Sequence, residues 1–257
     1  MAMFYEEQPF MWEYVKEMIA STIHSAKGLI DFLDVGTGSG VWSILVGKHT
    51  AAKNIIAIDK SPRAIQEAAR NAERNGVSFT LQHEFYNMNS APYRSAKVIG
   101  LYPPYHLYPK EIEMKIPQHA RGGVDGQQIF KEQLCGANYH LADGGIIVFN
   151  QMCLGKNGKP AFETYIPQLV TDASLSYTNI LAPMSTKEFL KGVYGDELLE
   201  YQNSIAREYP ELYYCDGIIT RDGKNTIKVD THNIDLQGRT WEDRIELHRQ
   251  IALHREK

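Results

Sequence analysis

Cysteine is scarce in this chain of 257 residues, and the positions of its three cysteines exclude two classes of protein. Cys135, Cys153 and Cys215 lie far apart, are odd in number and form no C-x-x-C pair, which argues against a disulfide framework and a cysteine-based metal site. The nine histidines are scattered, without an H-x-x-x-H pair or a histidine and carboxylate cluster. We therefore expect no metal and a reducing compartment.

Long apolar runs and targeting signals are also missing. No apolar stretch approaches the length of about 18 residues that a membrane span requires, and the first residues have neither a basic n-region nor an apolar h-region. The net charge of −4 provides no global field that would attract nucleic acid. These absences predict a cytoplasmic protein without a membrane partner, and they leave the oligomeric state and the partners open.

What is present is a short apolar strand that breaks into a glycine-rich turn, LIDFLDVGTGSG at residues 29–40. Gly36, Gly38 and Gly40 remove every Cβ from one side of this loop, so a ligand can approach the backbone. Val41, Ile44 and Leu45 then begin a helical period. Such a strand-to-helix crossing is where open α/β sheets bind ligands, although a tight turn that binds nothing is the alternative.

A second strand, at residues 54–58, ends in Asp59, whose carboxylate can accept hydrogen bonds from both hydroxyls of a ribose. The dinucleotide fingerprint G-x-G-x-x-G would need a glycine where Val41 stands, which disfavours an NAD-dependent oxidoreductase. Asp34, the three glycines and Asp59 together resemble the cofactor site of the class I methyltransferases that use S-adenosylmethionine. The resemblance implies an α/β fold that is Rossmann-like and doubly wound. Its sheet would have seven mostly parallel strands, helices on both faces and an antiparallel C-terminal edge.

The resemblance also implies which residues hold S-adenosyl-L-methionine. They are Asp34, Gly36, Thr37, Gly38, Gly40, Asp59, Lys60, Glu84 and Phe85. Glu84 and Phe85 follow the third predicted strand, where the family often places an acidic and an apolar residue against the adenine. The alternatives are a solvated loop carboxylate for Glu84 and plain core packing for Phe85.

The fourth predicted strand, at residues 98–101, delivers Tyr102-Pro103-Pro104-Tyr105 to the same edge of the sheet. The two prolines fix the backbone and leave carbonyl groups that cannot turn inward to pair. This tetrapeptide resembles the Asn-Pro-Pro-Tyr motif of methyltransferases that act on exocyclic or amide nitrogens. Residues 120–126, ARGGVDG, resemble the Gly-Gly-x-Asp-Gly segment of the release factor glutamine methyltransferases. The candidate catalytic residues are therefore those of the tetrapeptide.

Methyl transfer depends mainly on alignment of the acceptor with the sulfonium, so we expect positioning rather than acid-base chemistry. In the Asn-Pro-Pro-Tyr proteins the asparagine carbonyl orients the acceptor nitrogen, and the aromatic residue stacks on a planar substrate. Here Tyr102 replaces the asparagine, and Lys97 stands where the family commonly has an acidic residue. The hypothesis is a methyltransferase with an unidentified acceptor, nitrogen favoured over oxygen, in a protein, an RNA or a small molecule. The alternative is a non-catalytic subunit or sensor that binds S-adenosylmethionine through a degenerate motif.

The domain organisation follows from the same pattern. We expect an N-terminal helix within residues 1–28 and a methyltransferase domain over 29–257, with its core at 29–150 and its C-terminal edge and extension at 155–257. Residues 154–160, rich in glycine and lysine, mark a candidate boundary or a loop within one domain.

The C-terminal part carries weaker patterns. The sequence predicts a hairpin between residues 213–220 and 226–231. Thr240 and Asp243 resemble a capping box that opens the last helix. Its Leu-His-Arg repeats, which begin at positions 247 and 253, predict a solvated basic helix face.

Overall fold

The computed structural model describes residues 8–230 and 240–253, and these residues form one continuous sheet with helices on both of its faces. The strands are β1 (Ile30–Val35), β2 (Ile55–Asp59), β3 (Thr80–His83), β4 (Ala96–Leu101), β5 (Leu141–Lys156), β6 (Lys159–Pro160), β7 (Ser174–Ser185), β8 (Glu211–Thr220) and β9 (Ile227–Val229). The helices are α1 (Gln8–Ser25), α2 (Val41–His49), α3 (Pro62–Asn75), α4 (Gln128–His140), α5 (Phe162–Leu169), α6 (Thr186–Tyr194), α7 (Leu199–Glu208) and α8 (Trp241–Leu253).

The strand order is β3-β2-β1-β4-β5-β8-β7-β9, with β6 paired to the end of β5. Strands β3, β2, β1, β4 and β5 run parallel, and β8 is inserted antiparallel between β5 and β7. The predicted fold class, a mostly parallel sheet with an antiparallel C-terminal edge, is confirmed. The described residues contain nine strands rather than the seven expected, because two short strands, β6 and β9, extend the edge.

The register brings the ends of the central strands into one row. Val35 of β1 pairs with Leu101 of β4, and Leu101 pairs with Phe149 of β5. The next residues are therefore Gly36, Tyr102 and Asn150: the chain leaves the sheet at Gly36 and Tyr102, whereas β5 continues past Asn150 to Lys156 beside β8. Because ligands bind at this edge in open α/β sheets, the row sets the position of the site.

Local sequence signals set both ends of α3. The Ser61 hydroxyl accepts a hydrogen bond from the Ala64 N–H at 3.4 Å, and Pro62 occupies the first turn. Gly76 ends the helix at φ +64°, a left-handed conformation that favours glycine.

The expected N-terminal helix is α1, which lies across the face of β4 and β5. Val15 and Ile19 are fully buried against Val98 and Val148. Lys97 fixes the other end of this helix, since its ammonium group donates to the Ile23 carbonyl at 3.0 Å and to Asp31 at 2.9 Å. Lys97 therefore joins α1 to β1 at the amino half of the sheet, away from the carboxyl edge.

One expectation about strand pairing in the C-terminal part is wrong. Strand β9 does not form a hairpin with β8, because β5 and β7 already occupy both edges of β8 and β9 pairs in parallel with the outer edge of β7. Residues 154–160 contain the end of β5, a tight turn and β6, which corresponds to the loop within one domain. The capping box is confirmed, since the Thr240 N–H donates to Asp243 Oδ2 at 2.7 Å.

Candidate active site

The glycine loop connects β1 to α2 with all three glycines at positive φ, +73° at Gly36, +58° at Gly38 and +82° at Gly40. A Cβ on Gly36 or Gly38 would find no neighbouring atom closer than 3.7 Å, whereas one on Gly40 would lie 3.1 Å from the Ala68 Cβ. The first two glycines thus leave the loop backbone open to a ligand. The third allows α3 to pack closely.

Asp34, at the end of β1, is fully buried and uses only one of its carboxylate oxygens. Oδ2 accepts hydrogen bonds from the Thr37 hydroxyl at 2.7 Å, the Ser43 hydroxyl at 2.6 Å and the Ser43 N–H at 3.2 Å. Oδ1 has no hydrogen-bond partner within the described part of the chain. Burial raises the pKa of Asp34 to about 6 against the effect of these hydrogen bonds. The site thus contains a buried carboxylate oxygen that can receive a cation.

Asp59, at the end of β2, lies beside the same loop. Its Oδ2 accepts the Gly38 N–H at 3.0 Å, and its Oδ1 accepts the Ser61 N–H at 2.8 Å. A carboxylate oxygen has two lone pairs, so each oxygen can accept one more hydrogen bond. Asp59 therefore fixes the loop and can still accept two hydroxyl groups.

The segment after β3 contributes an exposed ring and a second buried carboxylate oxygen. Phe85 is 70% exposed, and the Lys60 ammonium lies 5.6 Å from its ring centroid. The Glu84 N–H donates to the Asp59 carbonyl at 3.1 Å, which holds this segment next to β2. Glu84 Oε1 is buried and has no partner among the described residues. An aromatic face and a free acceptor here suit a planar base that carries an amino group.

These residues fit S-adenosylmethionine. Asp34 Oδ1 would accept the ammonium group of the cofactor's methionine part, and Asp59 would accept the ribose hydroxyls. Glu84 and Phe85 would contact the adenine. Gly36 and Gly38 leave room for the cofactor over the loop. The geometry brings the predicted residues together at one edge of the sheet, and their contacts with the cofactor stay predictions.

Tyr102 opens the tetrapeptide directly after β4, and its ring stacks on Trp42 of α2 with centroids 4.5 Å apart and planes 11° apart. Its hydroxyl is buried without a partner in the described residues. Burial raises the pKa of Tyr102 well above its usual value, and the nearby carboxylates of Asp34 and Asp216 add to the shift. The Tyr102 hydroxyl therefore lies near two buried carboxylates, one on each side of β4.

The 118–127 segment packs directly on the tetrapeptide. The Gly122 N–H donates to the His106 carbonyl at 3.2 Å. A Cβ on Gly122 or on Gly126 would lie 2.7 Å from the Tyr105 backbone, so both positions require glycine. Tyr105 itself is 7% exposed, with its ring 6.0 Å from that of Tyr214. The stacking of this ring on a substrate stays a prediction.

Helix α8 is the part of the site that the sequence pattern predicts wrongly. His248 is 1% exposed, and its Nδ1 lies 2.6 Å from Nδ1 of His106. Burial lowers the pKa of His106 to about 3, and burial beside His106 and Arg244 lowers that of His248 well below its usual value. Two neutral imidazoles thus link the tetrapeptide loop to α8, and this face of the helix is not a solvated basic surface.

Two further polar residues at this edge have no counterpart in the sequence-based list. Asn150 follows the predicted end of the fifth strand, and Asp216 lies within an otherwise apolar strand pattern at residues 213–220. The Asn150 amide donates to Asp216 Oδ1 at 2.8 Å. A charged residue inside a buried strand was the available signal, although only the pairing of β5 with β8 brings Asp216 to this edge.

Within residues 8–230 and 240–253, no helix combines the length and apolarity needed to cross a membrane. The histidines, cysteines and carboxylates of these residues form no group of three or more that could hold a metal ion.

The strand order, the glycine loop and the two acidic strand ends define the fold of the class I methyltransferases. The ribosomal protein L11 methyltransferase (PrmA) family model matches residues 17–99, which is less than half of the chain. A solved structure from Galdieria sulphuraria, named as a sarcosine dimethylglycine methyltransferase, aligns with a TM-score of 0.50 at 10% identity. The alignment covers 84% of this chain and 85% of that one, and it shows the shared fold.

Relatives found by sequence similarity are more informative about the reaction class than the structural neighbour is. A protein of Methanocaldococcus jannaschii named as a protein N5-glutamine methyltransferase is 32% identical over 130 residues, which is 48% of this chain and 62% of that protein. The release factor glutamine methyltransferase of Geobacter sulfurreducens is 29% identical over 140 residues, which is 51% of this chain and 47% of its own length. The chain thus spans about half the length of the curated relatives it matches. The resemblance to S-adenosylmethionine-dependent glutamine methyltransferases is confirmed, whereas the match of Tyr102-Pro103-Pro104-Tyr105 to Asn-Pro-Pro-Tyr stays a prediction. These relatives and the fold imply S-adenosyl-L-methionine as cofactor.

Proposed function

We propose that this protein is an S-adenosylmethionine-dependent methyltransferase whose acceptor atom is a nitrogen. The observation that carries the proposal is the buried, unpartnered Oδ1 of Asp34 beside the open glycine loop, with the tetrapeptide on the adjacent strand. A buried carboxylate oxygen without a hydrogen-bond partner lowers the stability of the fold, which suggests that the fold keeps this oxygen for a ligand.

The bound cofactor supplies a methyl group on a sulfonium, which is a good leaving group. The chain has to hold the acceptor in line and exclude water. Pro103 and Pro104 fix the backbone after Tyr102, and the 118–127 segment closes on Tyr105 and His106 through backbone contacts. Nitrogen is favoured because the tetrapeptide resembles Asn-Pro-Pro-Tyr and because relatives are named as glutamine methyltransferases.

The non-catalytic alternative is not favoured. The relatives reported above are all named as methyltransferases. The matched part of the chain spans only part of each relative, so the acceptor has to be established on this protein directly.

The test has two stages. Calorimetry with S-adenosylhomocysteine and, separately, with NADH establishes the cofactor class, and heat with NADH alone would refute the proposal. Purified protein is then incubated with methyl-labelled S-adenosylmethionine and cell extract, and the labelled products are treated with mild base. Label released as methanol indicates a methyl ester and would contradict the nitrogen acceptor. Label that survives is assigned by mass spectrometry of the hydrolysed products, and an O-methyl ether or an S-methyl thioether would contradict it equally.

A matched pair of variants makes the second stage specific. Asp59→Ala removes the predicted ribose contact and should abolish labelling at low cofactor concentration. Asp222→Asn should label like the wild type, because Asp222 is exposed at the opposite edge of the sheet.

A further inference from the structure

Asn150 and Asp216 form a buried polar pair beside the tetrapeptide that the cofactor site does not use. Asp216 is 1% exposed, and the Asn150 amide donates to its Oδ1 at 2.8 Å. Its Oδ2 is buried and has no hydrogen-bond partner within the described part of the chain. Burial raises the pKa of Asp216 to about 7, with the Asn150 hydrogen bond acting in the opposite direction. No basic side chain among the described residues compensates this carboxylate.

The position of the pair points to the acceptor. Asn150 pairs with Asp216 across β5 and β8, one residue beyond the row in which Leu101 pairs with Phe149. Asn150 therefore lies on the strand adjacent to Tyr102, and Asp216 lies one strand further on. The charges of Asp216 and of Asp34, which lies on the opposite side of β4, both raise the pKa of the Tyr102 hydroxyl. Two carboxylates, each with one oxygen that has no partner within the described part of the chain, thus lie on the two sides of the first tetrapeptide residue.

We infer that Asp216 Oδ2 binds the acceptor nitrogen and that the acceptor is an amine, which reaches the site as its ammonium ion. This inference rests on the proposed function and adds the substrate class to it. A side-chain amide, as in the Asn-Pro-Pro-Tyr motif, offers a neutral carbonyl that suits a neutral carboxamide. In this chain Tyr102 cannot provide that carbonyl, and Asp216 on β8, the second strand from β4, provides a carboxylate instead.

The chemistry of an amine acceptor requires such a group. An ammonium nitrogen has no lone pair, so one N–H bond has to break and its proton pass to Asp216 Oδ2. The freed electron pair then forms the nitrogen–carbon bond, and the pair of the broken carbon–sulfur bond stays on sulfur. A carboxyl group that titrates near neutral pH can accept this proton and later release it to solvent.

The other titratable groups that interact electrostatically with Asp216 carry no positive charge, so they do not neutralise its carboxylate. They are the phenols of Tyr14 on α1, Tyr102, Tyr105 and Tyr214, together with the thiol of Cys215. Burial raises the pKa of all five, so they stay neutral between pH 5 and pH 8. Compared with these five groups, only Asp216 changes its ionisation in that range, so its charge decides whether the acceptor cation binds.

Sinefungin tests the inference without knowledge of the substrate. In this cofactor analogue a carbon that carries an amine replaces the sulfonium sulfur and its methyl group, so its ammonium lies at the position of the methyl group and faces the acceptor side. S-adenosylhomocysteine lacks the ammonium, has sulfur in place of that carbon and shares the rest of the molecule. The ratio of the two dissociation constants, measured by calorimetry, therefore reports the acceptor side alone and cancels the contribution of Asp34.

We expect the wild type and Asp222→Asn to bind sinefungin at least about tenfold more tightly than S-adenosylhomocysteine. This difference corresponds to the free energy of one charged hydrogen bond, from the sinefungin ammonium to Asp216. Asp216→Asn should lose this preference and keep its affinity for S-adenosylhomocysteine within about twofold. If Asp216→Asn keeps the preference, or loses affinity for both ligands equally while folded, the inference is overturned. If the wild type binds neither ligand, the proposed function itself fails.

A pH series covers the case in which Asp216→Asn does not fold. The wild-type preference for sinefungin should fall as the pH drops below about 7, because protonated Asp216 no longer attracts a cation. Asn150→Ala removes a hydrogen bond that stabilises the Asp216 carboxylate. The midpoint of the pH dependence of the sinefungin preference should therefore move to higher pH in this variant. A preference that is constant from pH 5.5 to pH 8 in the wild type would overturn the inference.

Discussion

Replacement of Asp34 by asparagine should weaken cofactor binding and at the same time stabilise the free protein. The amide oxygen can keep the hydrogen bonds from Thr37 and Ser43 that Oδ2 now accepts. The amide nitrogen takes the place of Oδ1, where the cofactor ammonium is expected. The variant thus loses a charge-assisted hydrogen bond of about 1.5–3 kcal/mol, which corresponds to about 10- to 150-fold in affinity.

The stability change has the opposite sign because the folded state raises the pKa of Asp34 from 3.8 to about 6. Between these values the folded protein binds a proton that the unfolded chain releases, so wild-type stability falls as the pH rises through this window and is level above it. At 1.36 kcal/mol per pKa unit, the ionised carboxylate costs about 3 kcal/mol at pH 8. Asp34→Asn avoids this cost, and its gain should reach at most about 3 kcal/mol, since the buried amide also lacks a partner.

Asp31→Asn provides the control on the same strand. Burial raises the pKa of Asp31, but hydrogen bonds from the Asn54 and Lys53 N–H groups and from Lys97 outweigh it and lower the pKa. This carboxylate stabilises the fold above its unfolded pKa, and the contribution is lost as the pH falls through the folded value. Asp31→Asn should therefore destabilise the protein by about 1–3 kcal/mol at pH 8 and leave cofactor affinity unchanged.

Urea unfolding at pH 5 and pH 8 and calorimetry with S-adenosylhomocysteine measure both quantities. The expected pattern is a loss of affinity without loss of stability for Asp34→Asn, and the reverse for Asp31→Asn. Wild-type affinity in Asp34→Asn would show that Oδ1 does not receive the ammonium. A loss of stability at pH 8 would show that the carboxylate has a structural partner, and either result would refute the reasoning.

Three further outcomes follow from the same site. Asp59→Ala should weaken the binding of S-adenosylhomocysteine by about 1–3 kcal/mol, which is the cost of unpairing buried polar groups. An unchanged dissociation constant in calorimetry would contradict the ribose contact. Tyr102→Ala should cut methyl transfer, measured by label incorporation, far more than cofactor affinity; equal losses would place the ring in the cofactor site. Cofactor binding should release about half a proton from Asp34 at pH 6 and almost none at pH 8. Calorimetry in two buffers of different ionisation enthalpy measures this release, and equal values at both pH values would exclude Asp34 as its source.

The sequence alone determined the parts of the site that depend on short-range signals. Gly36, Gly38 and Gly40 are detectable because their positive φ values exclude other residues, and Asp34 and Asp59 because they end apolar strands beside that loop. The tetrapeptide is equally local, since two prolines fix the backbone whatever surrounds them. These features were enough to predict the parallel core of the fold and the edge at which ligands bind.

Only the tertiary structure decided which distant residues complete that edge. Asp216 pairs with Asn150 at this edge because β8 inserts between β5 and β7, a pairing set by long-range packing that no local pattern encodes. Because β8 is paired with β5 on one side and β7 on the other, it has no free edge with which β9 could form the predicted hairpin. His248 is buried because α8 folds back on His106, although its own helix reads as polar. Side-chain burial and carboxylate pKa values depend on these contacts between remote segments, so they emerge only when the sheet is assembled.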